Sequence, residues 1–127
     1  MTKMRKILLV DDETLVLKSL TKLLLKEGYA VIACQSGEEA AKAVEAGGFD
    51  LVVCDVRMPK LNGVDTVKCI REILLKNKNH PTPEIFITGF ADQAVSKQAE
   101  QLQVADYLYK PFDVRDFLAC VKKHLKE

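Results

Sequence analysis

Apolar residues fall into short consecutive runs separated by longer amphipathic stretches along the whole chain. Five runs have the length and composition of strands: Lys6 to Val10, Ala30 to Cys34, Leu51 to Cys54, Glu84 to Thr88 and Asp106 to Tyr109. Within them apolar residues follow one another instead of alternating, as in Ile7, Leu8, Leu9 and Val10. A strand that is apolar on both sides needs cover on both faces, the condition of a parallel sheet between two helical layers.

The intervening stretches predict helices from Glu13 to Glu27, Gly37 to Ala46, Gly63 to Lys76, Ala91 to Leu102 and Val114 to Leu125. In the last, Val114, Phe117, Leu118, Val121 and Leu125 recur at helical spacing, while Arg115, Lys122 and Lys123 fall mostly on the other side. Asp113 precedes it as an N-cap. Gly28, Gly47-Gly48, Pro81 and Pro83 stand at the joins, where a helix ends or extended backbone is needed. Lys76 to His80 is the most polar connection and is expected to be exposed. Strict alternation of strand and helix reads as the α/β class.

Composition narrows the class without changing it. A length of 127 residues suits one domain, here residues 1–127, and 48% apolar with 29% charged residues is the balance of a folded globular chain. The net charge of +1 supplies no long-range field toward nucleic acid or an anionic membrane, so direct binding to either is not expected. The longest apolar runs fall far short of the roughly 18 residues of a membrane span, and no signal peptide precedes the first strand. Cys34, Cys54, Cys69 and Cys120 are scattered, with no CxxC pair and no histidine close enough to build a recognisable zinc site, and spacing alone supports no disulfide pairing. They read as buried or half-buried free thiols, which fits a reducing cytoplasm. His80 and His124 read as surface residues.

Candidate chemistry lies at the strand ends, because an open parallel sheet gathers ligands at the carboxyl ends of its strands. The first strand ends at Asp11-Asp12, the third at Asp55, the fourth at Thr88 and the fifth at Lys110. With strand order 2-1-3-4-5, Asp11, Asp12 and Asp55 come from adjacent strands and face one another. Three crowded carboxylates repel unless a cation or a retained proton offsets them. Mg²⁺ suits such an all-oxygen site. Lys110 adds a positive charge and Thr88 a hydroxyl donor, the requirements of a transferring phosphoryl group, and an aspartate can itself be the nucleophile. Taken singly, each position has a blander explanation: Asp12 as a helix cap, Lys110 as a solvated lysine, Thr88 as an ordinary strand-end residue. Four strand ends in order argue for a site.

These residues sit in four runs, VDDE at Val10 to Glu13, DVRMPKLNG at Asp55 to Gly63, ITG at Ile87 to Gly89 and YLYKPF at Tyr107 to Phe112. In them the chain resembles the receiver domains of bacterial two-component response regulators over nearly its whole length. The resemblance implies a doubly wound, flavodoxin-like, five-stranded parallel sheet of order 2-1-3-4-5 with helices on both faces. It implies Asp55 as phosphoacceptor, with Mg²⁺ on Asp12, Asp55 and the Arg57 carbonyl, and Asp11 acting mainly through a bound water. Lys110, Thr88 and the Gly89 N–H would contact phosphoryl oxygens, and Thr88 and Tyr107 would form the switch. For Tyr107 the alternative is a core tyrosine with its hydroxyl in water.

The implied donor is a phosphohistidine on a sensor histidine kinase or histidine phosphotransfer protein, with small phosphodonors also serving. Such a domain is a phosphoacceptor that assists its own phosphorylation and dephosphorylation instead of turning over a substrate. The output partner or domain is open, a homodimer being one choice. A stand-alone receiver and a piece of a longer chain both fit, since no DNA-binding or catalytic segment is recognisable after Leu125. Arg57 and Phe90 occupy positions where the family varies and phosphoryl lifetime is tuned, and Val104-Ala105 replaces a common glycine before the fifth strand.

Three other readings remain. An aspartate-nucleophile phosphatase would want an Asp where Arg57 stands. A flavodoxin-like cofactor carrier would have to seat an anion against Asp11-Asp12. A receiver acting as a phosphorylation-independent interaction module has no sequence feature against it beyond the intact site.

Overall fold

The structure, a computed structural model, describes residues 4–58, 60–89 and 93–125, without the side chains of 93–96. Strands and helices alternate as β1 (Lys6–Val10), α1 (Thr14–Lys26), β2 (Ala30–Cys34), α2 (Gly37–Ala46), β3 (Leu51–Asp55), α3 (Gly63–Lys76), β4 (Glu84–Thr88), α4 (Gln93–Gln101), β5 (Asp106–Tyr109) and α5 (Val114–His124). All pairings are parallel and the order is β2-β1-β3-β4-β5. The sheet is doubly wound, as expected. The expected start of the fourth helix at Ala91, like Phe90, lies outside the described residues, as does Pro59 within the DVRMPKLNG run.

Consecutive apolar residues in the strands divide between two cores, because successive side chains point to opposite faces. Ile7, Leu9, Leu51, Val53, Ile85 and Ile87 pack with Leu17, Leu20 and Leu24 of α1 and Phe117, Val121 and Leu125 at α5. Leu8, Val10, Val52, Cys54 and Phe86 pack with Ala40 and Val44 of α2, Val64, Val67, Ile70 and Leu74 of α3, and Ala99 of α4. Thus α1 and α5 cover one face and the other three helices the second. Each fully buried Leu or Ile contributes about 1.5–3 kcal/mol. The edge strands are the less buried ones, with Ile32 on β2 and Tyr109 on β5 exposed.

Local chemistry fixes where the helices begin and end. Asp113 caps α5, its Oδ1 accepting from Asp116 N–H at 2.8 Å; Ser36 and Asn62 do the same for α2 and α3 through Glu39 and Asp65 N–H. At the end of α1, Gly28 takes φ +95°, the left-handed conformation that closes a helix, while Tyr29 N–H donates to Leu24 O. After α4 the same conformation falls to Gln103 at φ 53°, so the turn ahead of Val104-Ala105 is made without glycine. Lys76 to His80 is exposed as expected. All four cysteines are free, two buried and two half-buried.

Two expectations fail. Val114, assigned to the apolar stripe of α5, is 55% exposed. His124, expected at the surface, is half-buried: its side chain is 16% exposed and its Nε2 lies 2.8 Å from Asp106 Oδ2. Residue spacing could not register a bond between the two ends of a β-α unit.

Candidate functional site at the carboxyl end of the sheet

Ladder hydrogen bonds run one residue past the strands and fix the loops that follow. Asp11 N–H donates to Cys34 O (3.0 Å), Val56 N–H to Ile87 O (3.0 Å) and Lys110 N–H to Thr88 O (2.7 Å). Asp11, Asp55, Thr88 and Lys110 are therefore held by the sheet itself. Carboxylate oxygens of Asp11, Asp12 and Asp55 all lie within 4.8 Å of one another. Asp11 and Asp55 are buried, whereas Asp12 is exposed.

Each buried carboxylate has a distinct environment. Asp55 Oδ2 accepts from Lys110 Nζ at 3.1 Å and its Oδ1 from Arg57 N–H at 3.1 Å. Asp11 Oδ1 accepts from Glu13 N–H at 2.9 Å, while its buried Oδ2 has no hydrogen-bond partner among the described residues. Burial pushes Asp11 up to about 6 against the Glu13 N–H, and the Asp55 charge adds to the rise. Burial also raises Asp55, although the Lys110 bond and charge oppose it. Burial works against the charge on Lys110, but its bond to Asp55 and the surrounding carboxylates outweigh that and raise it.

An orphaned carboxylate oxygen beside two further carboxylates is a donor set for a hard cation, and Mg²⁺ fits it. Asp12 is not the cap of α1. That place belongs to Glu13, which makes no side-chain cap bond, so the helix starts under the direction of Asp11.

The other expected site residues are placed less directly. The buried Thr88 hydroxyl donates to Gly89 O at 3.3 Å. The exposed Arg57 side chain leaves only its backbone on the site. Tyr107 is half-buried, and its hydroxyl donates to Ala99 O at 2.9 Å, so it is not turned to water. Between Thr88 and Tyr107 lies a small cavity of about 50 Å³, also lined by Val56, Ala99, Glu100 and Tyr109.

Two residues with no role expected from the sequence also shape the site. Glu13 approaches Lys110 Nζ at 3.5 Å; its place directly after the paired aspartates was the available signal. Gly63 begins α3 against the end of β3, where a Cβ would collide with the Asp55 carbonyl and stand 2.7 Å from Val56 Cα. A glycine eight residues after a strand-end aspartate hints at such an approach.

The geometry joins a buried acidic cluster to a lysine on a five-stranded sheet, and the family model of the response regulator receiver domain matches residues 7–122. The chain belongs to that family. This receiver is 37% identical over 123 residues to the transcriptional regulatory protein CpxR of Escherichia coli strain K12, covering 97% of the chain and 50% of that protein. It is 36% identical over 122 residues to the alkaline phosphatase synthesis transcriptional regulatory protein PhoP of Bacillus subtilis strain 168, covering 96% and 49%. The receiver spans about half the length of these curated relatives.

Among solved structures, a CheY-like receiver domain protein from Methanospirillum hungatei JF-1 superposes with TM-score 0.85 at 28% identity, covering 97% of this receiver and 94% of that chain. The receiver domain of the sensor histidine kinase PA1611 from Pseudomonas aeruginosa PAO1, described with a magnesium ion coordinated in its active-site cleft, gives TM-score 0.83 at 26% identity, covering 97% and 98%. The receiver is thus of the two-component response regulator type. No helix among the described residues is long and apolar enough to cross a membrane.

Proposed function

We propose that Asp55 accepts a phosphoryl group in a Mg²⁺-dependent reaction and that the resulting acyl phosphate switches a protein-interaction face. One observation carries this reading: a buried aspartate bonded to Lys110 at 3.1 Å stands within 4.8 Å of two further carboxylates, one with an orphaned oxygen. Mg²⁺ would be held by Asp12, Asp55 and the Arg57 carbonyl, with Asp11 acting mainly through a bound water, and would supply positive charge that offsets the phosphoryl oxygens.

The chain's residues do the rest. An Asp55 carboxylate oxygen attacks phosphorus on the donor phosphohistidine of a sensor kinase or phosphotransfer protein. The P–N bond breaks, the imidazole nitrogen keeps the electron pair, and a P–O bond forms the acyl phosphate. Lys110 neutralises charge on the transferred group, and the Gly89 N–H and the Thr88 hydroxyl serve as donors to it. The Thr88 hydroxyl bonds only weakly to Gly89 O at 3.3 Å and can turn toward the phosphoryl group. That movement enlarges the cavity beside Tyr107, whose ring can then turn inward on breaking its bond to Ala99 O. The readout face is formed by α4, β5 and α5.

Incubation with acetyl phosphate and Mg²⁺ should add one phosphoryl group by intact mass, with Asp55→Asn abolishing it. Undiminished labelling of Asp55→Asn would reject the assignment, and release of phosphate from a phosphate ester would favour a phosphatase.

A further inference from the structure

A second group of metal-ligating side chains lies outside the acidic site. Asp106 opens β5, while Cys120 and His124 stand on the C-terminal half of α5, and one ligand atom from each lies within 4.8 Å of the others. Cys120 and His124 are four residues apart, so they share one helix face. His124 Nε2 is 2.8 Å and Cys120 Sγ 3.6 Å from the same oxygen, Asp106 Oδ2. Asp106 is already oriented, because its Oδ1 accepts from Tyr107 N–H at 2.8 Å and Oδ2 is left toward α5. All three residues are half-buried, which leaves an entry path.

We infer that Asp106, Cys120 and His124 form a second cation site, for a borderline transition ion of the Zn²⁺ class, that fastens β5 to α5. A histidine–aspartate pair alone explains the 2.8 Å contact. It does not call for a thiol directed at the same oxygen. Imidazole, thiolate and carboxylate together are donors for Zn²⁺ and not for Mg²⁺, and three protein ligands with an open fourth position is a recurrent zinc pattern.

Zinc bonds of about 2.0 to 2.3 Å at tetrahedral angles set neighbouring ligand atoms about 3.3 to 3.6 Å apart. The thiol is at that separation from Asp106, and the imidazole needs to withdraw by only about half an ångström. Lys123 Nζ, 3.8 Å from Asp106 Oδ2, holds the neighbouring positive charge, and its 69% exposed side chain can swing into solvent. On binding, the Cys120 S–H bond breaks and its proton goes to solvent; His124 binds through Nε2 as the neutral imidazole.

Cobalt is the probe. One equivalent of Co²⁺ added to the chelator-stripped protein should give a thiolate-to-cobalt charge-transfer band in the near ultraviolet, removed by Zn²⁺ but not by excess Mg²⁺. Cys120→Ser should abolish the band, His124→Gln should weaken binding about tenfold or more, and Cys69→Ser should leave it unchanged. Circular dichroism checks the fold of each variant, and His124→Gln carries the test if Cys120→Ser does not fold. Absence of the band in the wild type, its survival in Cys120→Ser, or unweakened binding by folded His124→Gln would overturn the site.

Discussion

Asp11 and Asp55 are both buried at the same end of the sheet, yet only Asp55 has a lysine within hydrogen-bonding distance. The difference gives the metal-free protein a pH dependence. An unfolded Asp titrates at 3.8 and folded Asp11 at about 6, so between those values the folded state holds the extra proton. The stabilisation from that proton is complete below the unfolded value and lost as pH rises through 6. Full ionisation of this buried group costs about 3 kcal/mol. In chelator, Asp11→Asn should therefore be more stable than wild type at about pH 7.5 by roughly 1 to 3 kcal/mol, with the gap closing toward about pH 4. Urea denaturation at the two pH values measures it, and parallel profiles would remove Asp11 as the source. Added Mg²⁺ should raise the melting temperature of wild type and leave Asp11→Asn nearly unmoved.

The junction of β3 with α3 sets the position of Asp55, and it depends on one missing side chain. At Gly63 a methyl group meets the Asp55 carbonyl and Val56 Cα, backbone atoms that cannot rotate away. Gly63→Ala should cost about 1 to 3 kcal/mol of stability and slow labelling of Asp55 by acetyl phosphate; unchanged stability would mean that α3 can slide. Element boundaries were largely legible, because continuous apolar runs and polar caps such as Asp113 are local signals. Asp11, Asp12, Asp55 and Lys110 were legible as a group for a related reason, since a parallel sheet puts its strand ends on one rim. Val114 was not, because helical spacing gives a direction but not whether the sheet continues beneath that turn. The Asp106–Cys120–His124 cluster escaped as well, since its meeting depends on how α5 lies against β5.

Across the molecule, the proposed readout face carries the exposed residues Lys97, Gln101 and Lys122 and the 67% exposed Tyr109. Lys122 already pairs with Glu27 across to the end of α1 at 2.7 Å, so a partner using it would compete with that contact. Coupling between sites in two-state switches is typically about 1 to 3 kcal/mol, so the proposed switch should hold a minor active population before phosphorylation. Beryllofluoride should shift amide resonances from β4 through α5, and light scattering under the same conditions separates self-association from recognition of another protein. Shifts confined to the surroundings of Asp55 would rule out this face.

The division of the core in two also makes the sheet a bulkhead. Leu20 and Ile70 lie in clusters on opposite sides of it and share no apolar neighbours within either. Truncating both to Ala should give a loss equal to the sum of the single losses within about 0.5 kcal/mol, whereas a departure above about 1 kcal/mol would mean that the strands transmit strain. If the compartments are energetically separate, mutations can accumulate in one without compensation in the other. The two histories then meet at the rim, where loops from both sides hold Asp55.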